Sequence, residues 1–193
     1  MFNYIENVFP QDVIDSLHNK YITVKEDDLT SYDIWPPLMT EQNTLPANYT
    51  QHISKKDKLL VLSLLFDNED SPFYNDARLR YTNIAIQKIS PGSRIPRHTD
   101  TALGSLTVFL NKEYDTSNGG EFLWWENEES KVSYSVIPKY NCGVWALYNE
   151  GDAMPHEVTT VNNYHRVSIQ FFIWGKDQDP TVKYAPRDKN AVH

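Results

Sequence analysis

Cysteine is nearly absent from this chain of 193 residues, since Cys142 is the only one. A single cysteine excludes an internal disulfide and a cysteine-rich zinc site, and it suits a reducing compartment. The sequence also lacks the run of about 18 apolar residues that a membrane-spanning helix needs. Its first residues have neither the basic nor the apolar segment of a secretory signal. We therefore expect a cytoplasmic protein with no membrane partner.

Positive charge is also scarce in this sequence. The chain has 18 lysines and arginines against 26 acidic residues, which gives a net charge of −8. Proteins that bind by neutralising phosphates need the opposite balance, so we do not expect a nucleic acid as partner. Hydrophobic residues make up 40% and charged residues 23%, a mixture that is typical of globular proteins. Nothing in the sequence indicates an oligomeric state.

Secondary-structure signals divide the chain into two parts. In the first part, Pro10 is placed to open a helix, and the capping pattern of Ser54 and Asp57 predicts a second helix over residues 54–67. Residues 26–50 are rich in proline and polar side chains and are predicted to form a long loop. In the second part, short β-type runs alternate with turn signals. The predicted strands are residues 79–89, 94–98, 105–111, 121–126, 131–138, 143–148, 156–161 and 166–174.

Eight short strands separated by turns predict a mainly β protein with N-terminal helices, built as a sandwich or jelly roll. We expect one domain over residues 1–175, with helical support in residues 1–77 and the jelly-roll core in residues 78–175. Residues 176–193 are polar and contain two prolines. They are predicted to form a loosely held C-terminal tail.

A histidine and an aspartate two places apart give the first chemical signal. On a strand, His98 and Asp100 point to the same side, so their side chains can converge on one metal ion. The extended Ile95-Pro96 segment before them favours a strand. His156, at the start of another predicted strand, is the third candidate ligand. Two histidines and one carboxylate make the facial triad that binds Fe(II) with open positions, whereas a surface histidine beside an aspartate in a turn is the alternative for the pair alone.

Arg166 gives the second signal, because it shares a predicted strand face with Ser168, Gln170 and Phe172. A charge on a face directed toward the core is costly unless it is paired. The planar guanidinium suits a carboxylate, which it can bind through two parallel hydrogen bonds. Ser168 can add a hydroxyl donor beside it. The alternative is an internal salt bridge between Arg166 and one of the acidic residues of the chain.

The order of these elements resembles the Fe(II)/2-oxoglutarate-dependent dioxygenases, most closely their prolyl-4-hydroxylase-like branch. That order is His-x-Asp, then His156, then Arg-x-Ser ten residues later. The resemblance extends from about residue 81 to residue 174. The matching segments are residues 95–100, 109–111, 119–122, 143–145, 155–158 and 166–169, together with Pro138.

The resemblance implies a double-stranded β-helix of the cupin type in which His98, Asp100 and His156 hold Fe(II). It also implies that Arg166, with Ser168, binds the distal carboxylate of the cosubstrate 2-oxoglutarate. With O2, such an enzyme hydroxylates a C–H bond and releases succinate and CO2, and ascorbate is a candidate reductant. The implied substrate is of the amino-acid type, either a peptidyl proline or a free amino acid or small metabolite.

Phe109 departs from the family pattern, because many prolyl hydroxylases carry a tyrosine hydroxyl near the cosubstrate on the strand that corresponds to residues 105–111. Another residue must then donate the hydrogen bond to the cosubstrate. The candidates are Tyr81, Lys88, Thr107 and Gln170. Tyr32 and Trp35, in the predicted loop, are candidate substrate contacts.

Asp100 argues against a halogenase, in which a small residue replaces the carboxylate ligand. Phe172 occupies the position at which the nucleic-acid demethylases of the superfamily carry a second arginine. Outside the superfamily, two histidines and a carboxylate can hold zinc for hydrolysis. A non-catalytic, cupin-like ligand-binding protein is the other alternative. Neither of these two explains Arg166 and Ser168 as directly.

Overall fold

The computed structural model describes residues 2–23, 30–31, 48–74, 79–100, 102–127, 129–131, 133–148 and 154–175. Within these residues the chain forms helix α1 (Gln11–Tyr21), helix α2 (Lys55–Phe66) and a short 3-10 turn, Thr116–Asn118. The strands are β1 (Asn3–Ile5), β2 (Thr30–Ser31), β3 (Asn48–His52), β4 (Leu79–Ile89), β5 (Ile95–His98), β6 (Gly104–Phe109), β7 (Phe122–Trp124), β8 (Tyr134–Val136), β9 (Gly143–Leu147), β10 (His156–Val158) and β11 (Arg166–Gly175).

The strands form two antiparallel sheets. The large sheet has seven strands in the order β1-β9-β6-β11-β4-β3-β2, and the small sheet has four in the order β5-β10-β7-β8. Strand neighbours in space are seldom neighbours in sequence, as expected for a jelly roll. The prediction of a mainly β fold with N-terminal helices, a double-stranded β-helix, is confirmed.

Two apolar layers hold the fold together. The outer layer packs Ile14 and Leu17 of α1 and Val61 of α2 against one face of the large sheet. The inner layer lies between the two sheets and includes Phe109 and Phe122. Because successive residues of a strand point to opposite faces, Val167 and Ile169 of β11 belong to the outer layer, whereas Arg166 and Ser168 face the other way. The inner layer contacts two of the candidate site residues, since Phe109 packs against Arg166 and Phe122 against His156.

Helix α2 confirms the helix predicted over residues 54–67, and the Ser54 side chain caps it by accepting a hydrogen bond from the backbone N–H of Asp57. The prediction of a continuous loop over residues 26–50 is wrong in part. Strand β3 pairs with β4, and β2 pairs with β3. The sequence Asn-Tyr-Thr-Gln-His of β3 is short and polar, so its pattern does not indicate a strand.

Strand β1 was not predicted either, because a three-residue strand is too short to show a period. It pairs with β9 at the edge of the large sheet. The region predicted as helical support therefore also contributes strands to the sheet. Tyr32, Trp35 and the predicted tail over residues 176–193 lie outside the described residues. Among the helices that the structure describes, none is long and apolar enough to span a membrane.

Candidate functional site

Three side chains with metal-binding atoms converge on the inner face of the small sheet. His98 ends β5 and His156 begins β10, and the two residues are direct cross-strand partners. Asp100 lies just after β5, and one ligand atom from each of the three residues lies within 4.8 Å of the other two. The Nε2 atom of His98 is 3.7 Å from one Asp100 oxygen, and that of His156 is 3.4 Å from the other. The structure thus brings together the three residues selected from the sequence.

Both histidines are held in the tautomer that leaves Nε2 available. The Nδ1 atom of His98 lies 2.7 Å from the Pro96 carbonyl oxygen, and that of His156 lies 3.0 Å from the Met154 carbonyl oxygen. Since a carbonyl oxygen can only accept, each Nδ1 donates, and each Nε2 keeps its lone pair. Hydrogen bonds of this kind orient metal-binding histidines. The donor set of two imidazoles and one carboxylate fits Fe(II).

Aromatic rings surround the imidazole of His156. The ring of Phe122 stacks on it at 5.3 Å between centroids, and Phe2 meets it edge-on at 5.1 Å. Trp124 is its cross-strand partner on β7. Tyr148 also belongs to this inner layer, and burial, reinforced by the negative charge of Asp100, raises the pKa of its phenol. These rings close one side of the candidate metal centre to water.

Arg166 begins β11 on the inner face of the large sheet. The side chain is 1% exposed, and its guanidinium carbon lies 5.0 Å from the centre of the Phe109 ring, a cation–π contact. Burial lowers the pKa of Arg166 to about 10, and the nearby phenols of Tyr164 and Tyr114 act in the opposite direction. The guanidinium therefore keeps its positive charge at neutral pH.

The buried guanidinium has no hydrogen-bond partner in the part of the chain that the structure describes. None of its three nitrogens makes a hydrogen bond there, and the same is true of the buried Oγ of Ser168. The described residues thus give no support to an internal salt bridge of Arg166. A buried charge without a partner is strongly unfavourable, so this corner of the inner layer fits an anion from outside the chain. A carboxylate matches the guanidinium in shape and charge.

Gly120 makes room for the Arg166 side chain. It has a φ of 75°, and a Cβ atom at this position would lie 3.1 Å from Cδ of Arg166 and 2.9 Å from the hydroxyl oxygen of Tyr164. Any other residue would therefore be strained in its backbone and would crowd the arginine. This is the physical reason for the second glycine of the Gly119-Gly120 pair.

The four residues proposed from the sequence as donors in place of a hydroxyl at position 109 do not share one location. Thr107 donates its hydroxyl proton to the Gln170 side-chain oxygen at 2.6 Å. Lys88 is wrong as a donor beside Arg166, because its cross-strand partner Val167 packs in the outer layer, on the opposite face. The side chain of Tyr81 lies outside what the structure describes.

Two phenols that the sequence analysis missed, Tyr114 and Tyr164, are close enough to Arg166 to interact with its charge. Both lie outside the regular strands, where residue spacing gives no information about which side chains meet. No sequence signal would have selected them. Their position depends on how the connections fold over Gly120.

Solved structures with the same fold are prolyl hydroxylases and related oxygenases. A prolyl-4-hydroxylase from Pseudomonas putida superposes with a TM-score of 0.65 at 16% identity, covering 91% of this chain and 92% of that one. A prolyl hydroxylase of Trichoplax adhaerens, in complex with a peptide fragment of the hypoxia inducible factor oxygen degradation domain, gives 0.65 at 11% identity, covering 90% and 83%. A 2OG-Fe(II) oxygenase family oxidoreductase from Burkholderia pseudomallei gives 0.62 at 16%, covering 90% and 84%. At these identities the likeness establishes the fold.

The family is indicated by the sequence itself. Residues 84–174 match the sequence model of the 2OG-Fe(II) oxygenase superfamily, and this segment contains the three candidate ligands together with Arg166 and Ser168. No curated protein is significantly similar to the chain in sequence. Over residues 84–174 the chain is therefore similar to the 2OG-Fe(II) oxygenase superfamily, and its fold is the one found in the solved prolyl hydroxylases.

Proposed function

We propose that this protein is an iron- and 2-oxoglutarate-dependent oxygenase, a hydroxylase in which His98, Asp100 and His156 bind Fe(II) while Arg166 and Ser168 bind 2-oxoglutarate. The observation that carries the proposal is the buried, positively charged Arg166, which has no hydrogen-bond partner among the described residues. In support, the ring that Arg166 contacts, Phe109, belongs to the same inner layer as Phe122, which stacks on His156. The distal carboxylate of 2-oxoglutarate supplies the missing partner, and its 2-oxo acid end suits an open position on the metal.

Each residue has a distinct task in this proposal. His98 and His156 ligate through Nε2, because their Nδ1 protons are committed to backbone carbonyls. Asp100 adds an anionic oxygen ligand, and Fe(II), when bound, supplies the dioxygen activation that hydroxylation of a C–H bond needs. Arg166 neutralises and orients the distal carboxylate through its planar guanidinium. Ser168 donates its hydroxyl proton to the same carboxylate.

The proposed substrate is a small molecule or peptide of the amino-acid type, either a peptidyl proline or a free amino acid or related metabolite. The similarity in fold to prolyl hydroxylases supports this choice. Asp100 supports hydroxylation over halogenation, because its carboxylate occupies the position that a halide would need. The net charge of −8 argues against a nucleic-acid substrate. The single cysteine, which is buried, is in keeping with a cytoplasmic setting.

The test is an incubation of the full chain with Fe(II), ascorbate, 2-oxoglutarate and two sets of substrates, proline-containing peptides and free amino acids. We expect succinate to form and one substrate to gain about 16 mass units, the signature of hydroxylation. Reactions without 2-oxoglutarate and reactions with the His98→Ala variant are the controls. Hydrolysis that depends on zinc, without succinate, would contradict the proposal.

A further inference from the structure

A third buried polar group, after Arg166 and Ser168, lies close enough to Arg166 to interact with its charge. It is the hydroxyl of Tyr114, in the connection between β6 and the 3-10 turn, and the described residues offer it no hydrogen bond. The nearest position on β6, Phe109, carries no hydroxyl, although it is the direct cross-strand partner of Ser168. A phenol hydroxyl is thus present on the connecting segment, whereas the strand position Phe109 offers none.

Contacts around Gly120 place Tyr114 in the same corner as Arg166. Tyr164 and Arg166 both approach the point where a Cβ of Gly120 would be, and the ring of Tyr114 packs edge-on against Tyr164 at 6.3 Å between centroids. The two phenols differ in one respect. The hydroxyl of Tyr164 donates to the Gly119 carbonyl at 3.3 Å, whereas that of Tyr114 finds no acceptor among the described residues.

The phenol of Tyr114 keeps its proton under ordinary conditions. Burial raises its pKa, and the charges of Glu121 and Asp115 raise it further, while Arg166 acts in the opposite direction with a smaller effect. At neutral pH the hydroxyl is therefore a hydrogen-bond donor. A donor that is buried next to a cation and lacks an acceptor is matched to an anion.

We propose that Tyr114 donates a hydrogen bond to the distal carboxylate of 2-oxoglutarate and so replaces the hydroxyl that Phe109 cannot provide. The inference rests on the proposed function of Arg166. A carboxylate has about four acceptor positions on its two oxygens, enough for the guanidinium fork and the two hydroxyls of Ser168 and Tyr114. All three donors are buried and unsatisfied within the described part of the chain, and one ligand group satisfies them together.

The proposal predicts that removing the Tyr114 hydroxyl weakens 2-oxoglutarate binding but does not lower the stability of the ligand-free protein. Removing an unsatisfied buried hydroxyl does not destabilise the ligand-free protein, because that hydroxyl makes no bond there. Removing it from the complex takes away a hydrogen bond to a charged group. A tyrosine whose hydroxyl serves only the fold would show the reverse pattern.

The experiment measures 2-oxoglutarate affinity by calorimetric titration of the full chain, loaded with Fe(II) in the absence of oxygen. We expect Tyr114→Phe to bind at least about 10-fold more weakly than the unaltered protein, as for a hydrogen bond to a charged group. The matched control is Tyr164→Phe, which removes a hydroxyl with a protein partner and should change the affinity by less than about 3-fold. For 2-oxobutanoate, which has no distal carboxylate, Tyr114→Phe and the unaltered protein should bind equally.

The melting temperature of each variant without 2-oxoglutarate completes the test. We expect Tyr114→Phe to melt at or above the temperature of the unaltered protein. Unchanged 2-oxoglutarate affinity, an equal loss for 2-oxobutanoate, or a lowered melting temperature would each overturn the role of Tyr114. If the unaltered protein and Tyr164→Phe both fail to bind 2-oxoglutarate, the proposed function itself is wrong.

Discussion

Two buried charged side chains lie in different parts of this molecule, Asp57 beneath helix α1 and Arg166 between the sheets. Asp57 is 4% exposed and Arg166 is 1% exposed. The carboxylate of Asp57 accepts hydrogen bonds from Lys20 at 2.7 Å, Tyr21 at 2.8 Å and Ser54 at 2.8 Å. The guanidinium of Arg166 has none from the described residues.

The difference separates a buried charge that the fold itself satisfies from one that the described residues leave unsatisfied. A satisfied buried charge such as Asp57 joins helix α1 to the start of α2 and contributes to stability. A buried charge without a partner lowers stability until a ligand arrives. Substitutions of Asp57 should therefore change the stability of the protein, whereas substitutions at Arg166 and the candidate metal centre should change ligand binding and activity.

The largest effect is expected on the ligand-binding side, at the candidate metal centre. His98→Ala and Asp100→Ala should each abolish turnover, because two remaining protein ligands do not hold Fe(II) in the facial arrangement. The melting temperature should change little, since the apolar layers hold the fold together. Succinate formation and thermal unfolding are measured on the same samples. Near-normal succinate production by either variant would show that the metal assignment is wrong.

Arg166→Ala should weaken 2-oxoglutarate binding by about 2–5 kcal/mol, the loss expected when one partner of a buried charge pair is removed. This is roughly a 30- to several-thousand-fold loss of affinity. Arg166→Lys should lose less, because a point charge remains without the fork. The ligand-free melting temperature should not fall. A large drop in melting temperature with unchanged affinity would mean that Arg166, like Asp57, is a structural charge.

Asp57→Ala should lower the free energy of unfolding by about 2–3 kcal/mol, since it removes the charged hydrogen bonds that the carboxylate accepts. The 2-oxoglutarate affinity of the folded fraction should stay within about 2-fold of the unaltered protein, because its pocket is untouched. Urea unfolding and calorimetric titration measure the two quantities. Asp57→Asn, which keeps the shape, is the matched control and should lose less.

Ser168→Ala should weaken 2-oxoglutarate binding by about 1.5 kcal/mol, the lower value for a hydrogen bond to a charged group. This is roughly a 10-fold loss of affinity, and it should come without loss of stability because the hydroxyl has no partner in the described part of the protein. Calorimetric titration gives the affinity. An unchanged dissociation constant would remove Ser168 from the site.

The smallest expected effect is the pH dependence of the stability that Asp57 contributes. Burial alone would raise the pKa of Asp57, but hydrogen bonds from Lys20, Ser54 and Tyr21 outweigh it and hold the pKa below its usual value of 3.8. A carboxyl group whose pKa is lower in the folded protein than in the unfolded chain stabilises the fold. This contribution is complete at pH values above the unfolded-state pKa, and it is lost as the pH falls through the folded-state pKa. The stability advantage over Asp57→Asn should therefore shrink below about pH 4. Unfolding curves at several pH values measure it, and an advantage that grows in acid would contradict the network.

Much of the strand pattern could be predicted from the sequence because alternation and turn residues are local signals. The convergence of His98, Asp100 and His156 followed from two short patterns and their order along the chain. Strand β3 could not be predicted, because its five residues are polar and show no alternation of apolar and polar side chains. Tyr114 could not be found either, since it meets Arg166 through the folding of a connection over Gly120. Contacts of this kind depend on three-dimensional closure and leave no period in the sequence.

The position of β11 has a consequence for the order in which the molecule is made. This strand is the last described one along the chain, yet it lies between β4 and β6 in the large sheet. During synthesis, both neighbours must wait with an unpaired edge until residues 166–175 have left the ribosome. Such pairing over long sequence distance is slow and exposes strand edges to other chains. The nascent protein is therefore most vulnerable to aggregation just before β11 is synthesised. Pairing of β11 with β4 and β6 then completes the large sheet and brings Arg166 to its buried position between the sheets.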